Sequence, residues 1–165
     1  MNIDDKIIIE RIKKYDFDFY KLSDNPNISF EVILNSLDKK WDWGLLSKHP
    51  KLTFDFILNH LDYNWSWVHI SIHSNITFEN IIEHLELNWI WEYVCYNENI
   101  TIKNIIDNPN LPWSWRSLSK NDNITQYFLT YSNLSWNFDD LTYNGDLTDI
   151  DIILEKNNFY FLINF

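Results

Sequence analysis

The side chains that could perform chemistry in this 165-residue chain are few and widely separated. His69 and His73 are four residues apart, a spacing that can place two imidazoles on one helical face as metal ligands. No acid or cysteine accompanies the pair, and His73 falls where its helix should already be ending. Cys95 is the single cysteine, which excludes an internal disulfide and a multi-cysteine metal site. We therefore expect no metal and no other cofactor.

Acid–base and nucleophilic catalysis have equally little support. Asp139 and Asp140 are adjacent, and on a helix they would point about 100° apart, a poor geometry for paired acid–base work. We interpret them as a solvated, acidic first turn of a helix. His60 and His84 occupy equivalent places in a repeat and are expected to form a surface column. With two glycines in the chain there is no glycine-rich phosphate loop. The sequence predicts a protein that is not an enzyme.

A sequence repeat must position the residues that carry the function of this chain. An aromatic residue recurs at the first and third positions of a unit of 24 or 23 residues, and all nine tryptophans fall on these two positions. The repeats begin at Phe17, Trp41, Trp65, Trp89, Trp113, Trp136 and Phe159. Residue positions within a repeat are numbered from these residues. Position 6 is branched aliphatic and position 7 is small, mostly serine, which we interpret as a spacer that lets helices approach closely.

Position 13 predicts the start of a helix in each repeat. A hydroxyl side chain just before an apolar run can accept a hydrogen bond from an orphan backbone N–H at a helix N-terminus. After Thr53, the residues Phe54, Ile57, Leu58 and Leu61 have the i, i+3, i+4, i+7 spacing of one helical face. We name this helix B. The hydroxyl residues at position 13 are Ser29, Thr53, Thr77, Thr101, Thr125 and Thr148.

The first half of the repeat predicts a shorter helix A. Trp43, Leu46 and Ser47 form a short i, i+3, i+4 stripe, and Pro50 in the following turn prevents helix A from continuing into helix B. The alternation of the aromatic pair is also compatible with a strand, which would give a strand–helix horseshoe like that of leucine-rich repeats. We favour all-α repeats of two short helices, stacked as a solenoid because helices this short need their neighbours for stability.

The ends of the chain complete a single repeat domain covering residues 1–165. Residues 1–16 predict an N-terminal cap helix with Ile8, Ile12 and Tyr15 on one stripe. Residues 159–165 form an aromatic C-terminal half repeat. We expect the half repeat to pack on the sixth unit; the alternative is an apolar edge for self-association. The aromatic residues of that edge are Phe159, Phe161 and Phe165.

Charge and hydropathy restrict the possible partners. The formal net charge is −11 and the thirteen Lys and Arg are scattered, so the surface as a whole repels phosphate backbones and nucleic acid is not the expected partner. An alternative is an acidic aromatic surface that imitates nucleic acid toward a basic protein. No signal peptide or membrane span is evident, so we expect an intracellular, non-secreted protein without membrane contact.

Helical geometry predicts different environments for the two rings of the aromatic pair. Two helical positions i and i+2 point about 200° apart, so both rings cannot face one core. We predict that the third-position ring is buried with the Leu46 stripe. The first-position ring then either wedges between repeats, which we favour, or lines an exposed ladder that binds a protein partner. The candidate partner-binding residues are Trp41, Trp65, Trp89, Trp113 and Trp136.

The motif W-x-W-x-x-L-S-x-[NH]-P-x-[IL]-[TS]-F-[ED] resembles the tryptophan-rich repeats of uncharacterised proteins from giant DNA viruses of the mimivirus kind. It is complete in Trp41 to Asp55, and Phe17 to Glu31 matches it with phenylalanine in place of tryptophan. The resemblance implies a viral origin, hence the host cytoplasm or the virion, and transfers no activity. We expect a non-enzymatic scaffold or adaptor that binds a viral or host protein; the alternative is a structural or self-assembling viral component.

Overall fold

The structure, a computed structural model, describes residues 3–127, 130 and 133–141. These residues contain α-helices joined by turns and no β-strand, which confirms the all-α class. The strand–helix alternative is absent from this part of the chain. Contacts group the chain into two compact units, Met1–Asn99 and Ile100–Phe165, and each is described by itself. The stacking of all repeats into one solenoid stays a prediction.

The first unit consists of an N-terminal helix followed by alternating short helices A and B. The A helices are five residues or fewer and the B helices are five or six. Each is too short to be stable alone, so the unit depends on packing between repeats. The helices are α1 Ile3–Lys14, α2 Phe19–Ser23, α3 Phe30–Leu34, α4 Trp43–Leu46, α5 Phe54–Leu58, α6 Trp67–Ser71, α7 Phe78–Glu83 and α8 Trp91–Val94.

Helix α1 packs against α3, as expected of a terminal cap, but through a different stripe. Asp5, Ile9 and Ile12 are its buried residues, whereas Tyr15, which the sequence placed on the buried stripe, is exposed. The carboxylate of Asp5 accepts a hydrogen bond of 2.8 Å from the hydroxyl of Ser29, the N-cap residue of α3. A polar residue therefore occupies part of the buried face, because it has a partner there.

Helix B begins as the position 13 residues predict. Thr53 and Thr77 accept hydrogen bonds from the backbone N–H groups three residues later, and Ser29 does the same. The predicted apolar stripe is only partly buried: Phe54 and Ile57 lie in the core, but Leu61 is exposed. Helix α5 ends at Leu58, so the chain turns before the stripe can face the core for a second turn.

The first-position tryptophans are buried. Trp41, Trp65, Trp89 and Trp136 are between 5% and 7% exposed. In the three repeats of the first unit that begin with tryptophan, the indole N–H donates to a backbone carbonyl at position 20 of the preceding repeat; for Trp65 the acceptor is the oxygen of His60, at 2.8 Å. The indole thus shares this carbonyl with a backbone N–H of the following turn, which for His60 is that of Tyr63. An exposed ladder is not present at these four positions.

The third-position rings are half-buried, opposite to the prediction that they form the core. Trp43, Trp67 and Trp91 all lie at intermediate exposure. The reason is that position 2 is the N-cap of helix A, with extended backbone angles, as at Asp42 and Ser66. The first aromatic residue thus precedes the helix, and the i, i+2 helical geometry does not relate the two rings.

The second unit repeats the pattern with a change in its second B helix. Its helices are α9 Ile102–Asp107, α10 Trp115–Leu118, α11 Asp122–Thr125 and α12 Phe138–Leu141. Thr101 caps α9 as predicted, and Trp113 is half-buried. The prediction for Thr125 is wrong: it is the last residue of α11, which Asn121 caps. Thr148, Phe159, Phe161 and Phe165 lie outside the described residues.

Candidate functional site

The histidines with metal-ligand spacing do not form a metal site. His73 is buried, its Nε2 lies 3.0 Å from the backbone oxygen of His49, and its Nδ1 accepts from the backbone N–H of Asn75 at 3.0 Å. Both ring nitrogens are therefore occupied, whereas His69 is exposed. Within the described residues no three His, Cys, Asp or Glu side chains lie together in a way that could hold a metal ion.

Position 9 forms a buried polar column that the sequence did not reveal. The ring of His49 repeats the arrangement of His73, with Nδ1 accepting from the N–H of Lys51 and Nε2 facing the oxygen of Asn25. At the same position, the Asn97 amide donates to the oxygen of His73, and its side-chain oxygen accepts from Asn99. Each side chain thus joins its own turn to the equivalent turn one repeat earlier.

The bonds of His49 define its charge state. A backbone N–H donates to Nδ1, so Nε2 must carry the proton that is shared with the carbonyl of Asn25. Burial lowers the pKa of the His49 imidazole below its ordinary value, and the charges of Lys51 and His73 act in the same direction, against the opposing hydrogen bond to Asn25. The ring is a neutral structural bridge rather than an acid–base catalyst.

The serines at position 7 are more than small spacers. The Ser47 hydroxyl donates to the backbone oxygen of Trp43 at 2.6 Å and accepts from the backbone N–H of Ser66, in the next repeat, at 2.8 Å. Ser23 makes the same pair of bonds, and Ser71 and, in the second unit, Ser119 accept the equivalent inter-repeat bond. Because the hydroxyls hold backbone groups and no base adjoins them, they are structural and not nucleophiles.

The adjacent acids of the second unit are not a solvated pair. Asp140 is buried and its carboxylate lies 2.9 Å from Nζ of Lys120 and 3.5 Å from Nε of Arg116, one repeat earlier. The side chain of Asp139 lies outside the described residues. A buried carboxylate with cationic partners needs no catalytic explanation. The sequence missed these contacts because they join residues 20 and 24 positions apart.

The surface that distinguishes the first unit lies along its B helices. Positions 18 and 21 there carry large apolar side chains, of which four are between 38% and 50% exposed, whereas Leu58 and Leu37 at the same positions are half-buried. Positions 15 and 22 carry exposed acids in each of the first three repeats. We call this set the helix B face. Its apolar residues are Leu34, Leu61, Ile82 and Leu85, and its acids are Glu31, Asp38, Asp55, Asp62, Glu79 and Glu86.

The sequence signal for this face is a stretch without cations, and this stretch does not follow the period of the repeat. Residues 52–99 contain no Lys or Arg and seven Asp or Glu. The acid columns stop in the fourth repeat, where Lys103 occupies position 15 and Asn110 occupies position 22. The apolar residues at positions 18 and 21 were missed for a different reason, because helical spacing assigned them to the core.

A groove in the first unit is lined mainly by residues of the turns that follow the A helices. It measures about 470 Å³ and combines apolar with oppositely charged groups. Its lysine, Lys48, already lies 3.2 Å from the carboxylate of Asp24. The mixed charges favour no single class of ligand. The main lining residues are Lys48, Pro50, His69, Ile72, Tyr96 and Glu98.

Two further findings bear on function. No helix in the described part of the chain has the length and apolar character needed to cross a membrane. Comparison with protein-family models, with curated proteins and with solved structures finds no match. The resemblance to viral tryptophan-rich repeats and the intracellular location both stay predictions.

Proposed function

We propose that this chain is a non-enzymatic protein-interaction module, a scaffold or adaptor whose partner is a viral or host protein. The observation that carries the proposal is the helix B face, where Leu61 and Leu85 stand exposed at position 21 of successive repeats, and Leu34 and Ile82 stand exposed at position 18 of the first and third repeats. Contiguous exposed apolar surface is characteristic of interaction sites, whereas single scattered residues are not. The rows of this face lie on a framework that inter-repeat hydrogen bonds hold in register.

The five first-position tryptophans no longer carry the proposal. Four are buried and, within the first unit, each donates its indole N–H internally, so their support for binding is indirect, through the rigidity of the repeats. Direct contact between these rings and a partner stays a prediction. The alternative role as a self-assembling component depends on Phe159, Phe161 and Phe165, and it too stays a prediction. Light scattering at high concentration tests it, since a strictly monomeric chain contradicts self-assembly.

Affinity capture with matched surface variants tests the interaction role. Leu61→Ser with Leu85→Ser removes apolar surface from the helix B face, while Val68→Ser with Ile72→Ser removes exposed apolar surface from helix A. We expect a specific partner to be lost with the first pair and retained with the second, with both variants folded by circular dichroism. Capture that is insensitive to the first pair would contradict the assignment of this face as the interaction surface.

A further inference from the structure

We propose that the helix B face binds a Lys- or Arg-rich amphipathic segment of its partner, in the manner of a helix laid against an apolar surface. This inference rests on the proposed function and adds the chemistry of the partner. It depends on two features of the first unit, apolar rows at positions 18 and 21 and acid rows at positions 15 and 22. Recognition of an amphipathic helix uses this combination of apolar contact and flanking charge.

The apolar rows are aligned because the repeats are in register. The Nε2 atom of His73 meets the backbone oxygen of His49, 24 residues earlier, and the amide of Asn97 meets the oxygen of His73 at the same separation. Equivalent positions therefore follow one another from repeat to repeat within the unit. Leu61 and Leu85, both at position 21, are consequently neighbours in one row, and Leu34 and Ile82 belong to the row at position 18.

An acid row lies beside each apolar row along the chain. Positions 15 and 18 are three residues apart within helix B and share a helical face, whereas positions 21 and 22 are adjacent in the segment that follows the helix, as Leu61 and Asp62 are after α5 ends at Leu58. Few cations offset the acids: Lys39 pairs with Asp38 at 3.0 Å, and residues 52–102 contain no Lys or Arg. The uncompensated negative potential selects a cationic partner.

The negative charge of the helix B face also opposes the binding of a second copy of the chain or of nucleic acid. A second copy of the chain would bring acid rows against acid rows, and each copy carries a net charge of −11. Nucleic acid would place phosphates against the same carboxylates. The groove beside the A helices offers apolar residues as well, but its Lys48 and Glu98 provide both signs of charge and select no class of partner. A basic segment with an apolar stripe satisfies both features of the helix B face.

Fluorescence anisotropy with designed peptides tests the proposal on the full chain. The probe is a labelled helical peptide with Leu at i, i+3, i+4 and i+7 and Lys elsewhere. We expect saturable binding that weakens as salt is raised. A shuffled peptide of the same composition, which has no apolar stripe, should bind at least about tenfold more weakly, as expected when apolar anchors dominate an interface. A Leu and Glu peptide should not bind.

Charge-reversal variants locate the binding. Asp62→Lys reverses an acid of the helix B face and Glu83→Lys reverses the exposed acid next to Ile82, whereas Glu92→Lys with Glu98→Lys makes the same change in net charge at exposed positions in and after helix α8. The first pair should weaken peptide binding by about tenfold and the second by about twofold or less, because screening confines exposed charges to short range. Should the lysine pair reduce folding, Asp62→Asn with Glu83→Gln provides the same comparison with half the change in charge.

The outcomes separate this inference from the proposed function. Equal binding of the shuffled peptide, or equal weakening by the two charge-reversal pairs, would overturn the inference in favour of unspecific attraction between polyelectrolytes. If no basic peptide binds but a captured partner is still lost with Leu61→Ser and Leu85→Ser, the interaction module stands and the basic segment is wrong. If neither peptide binding nor capture depends on the helix B face, both proposals fail.

Discussion

The indole of Trp43 meets the indole of Trp65 edge-on, with ring centroids 5.0 Å apart and ring planes 74° apart. The half-buried third-position ring of one repeat thus covers the buried first-position ring of the next. The same relation joins Phe19 to Trp41, Trp67 to Trp89 and, in the second unit, Trp115 to Trp136. Edge-to-face pairs contribute about 0.5–1.5 kcal/mol beyond the area they bury, so the aromatic pair couples successive repeats.

This relation predicts unequal costs for two neighbouring tryptophans. Trp65→Ala should lower the free energy of unfolding by about 3–5 kcal/mol, because it removes a buried ring and its hydrogen bond to the oxygen of His60. Trp67→Ala should cost less, since that ring is already half-exposed. Urea denaturation followed by far-UV circular dichroism measures both. Equal costs, or the reverse order, would show that the two rings do not have these separate roles.

The serine column predicts a polar contribution to repeat coupling. Ser47→Ala should lower the free energy of unfolding by about 1–3 kcal/mol, because the half-buried N–H of Ser66 and the oxygen of Trp43 lose their shared partner. Ser74→Ala is the control: this serine is exposed, and the contact of its backbone oxygen with Asn99 is retained. We expect the control to stay within about 0.5 kcal/mol of the parent. If Ser47→Ala lowers the free energy of unfolding no more than the control does, Ser47 acts only as a small spacer between helices.

The N-cap residues of two neighbouring helices, Thr77 and Ser66, should differ in how strongly their replacement by alanine lowers the free energy of unfolding. Thr77 forms a capping box with Asn80, so Thr77→Ala should cost about 1 kcal/mol in the free energy of unfolding. Ser66 is the N-cap of α6 but its side chain makes no capping hydrogen bond, so Ser66→Ala should cost only a few tenths. Thermal and urea denaturation compare the pair. A similar loss at both sites would count against the capping geometry.

Buried His49 predicts a dependence of stability on pH. Its pKa is lower in the folded chain than in the unfolded chain, so on acidification the unfolded state takes up the proton first. The free energy of unfolding should therefore fall as the pH drops below about 6.5, the ordinary pKa of histidine, and level off below the folded pKa. Urea denaturation at a series of pH values measures the slope.

The chain provides a matched control for this titration. His49→Asn places at position 9 the residue found at Asn97 and Asn121, whose side-chain oxygens accept the same turn hydrogen bond. We expect this variant to fold and to lose part of the acid dependence, while His49→Ala should be less stable at every pH because both ring contacts are lost. An unchanged pH slope in His49→Asn would assign the titration to other groups.

Much of the local structure was predictable because it depends on short sequence separations. The hydroxyl of Thr53 caps its helix through a backbone N–H three residues away, and the helical spacing from Phe54 to Ile57 falls within one turn. The prediction that Leu61 belongs to the same buried stripe is wrong, because the helix has already ended at Leu58. Part of the helix B face was therefore assigned to the core, although the run without Lys or Arg in residues 52–99 was visible.

The sequence by itself determined the repeat, its all-α class and the starts of the B helices in the first four repeats, since period and capping are local properties. Only the tertiary structure decided which ring of the aromatic pair is buried, because an extended residue at position 2 separates Trp65 from the helix that Trp67 begins. It also decided that Ser47 and His49 are bridges, since their partners lie 19 and 24 residues away. Contacts at that distance form only when neighbouring repeats pack, and no local pattern specifies them.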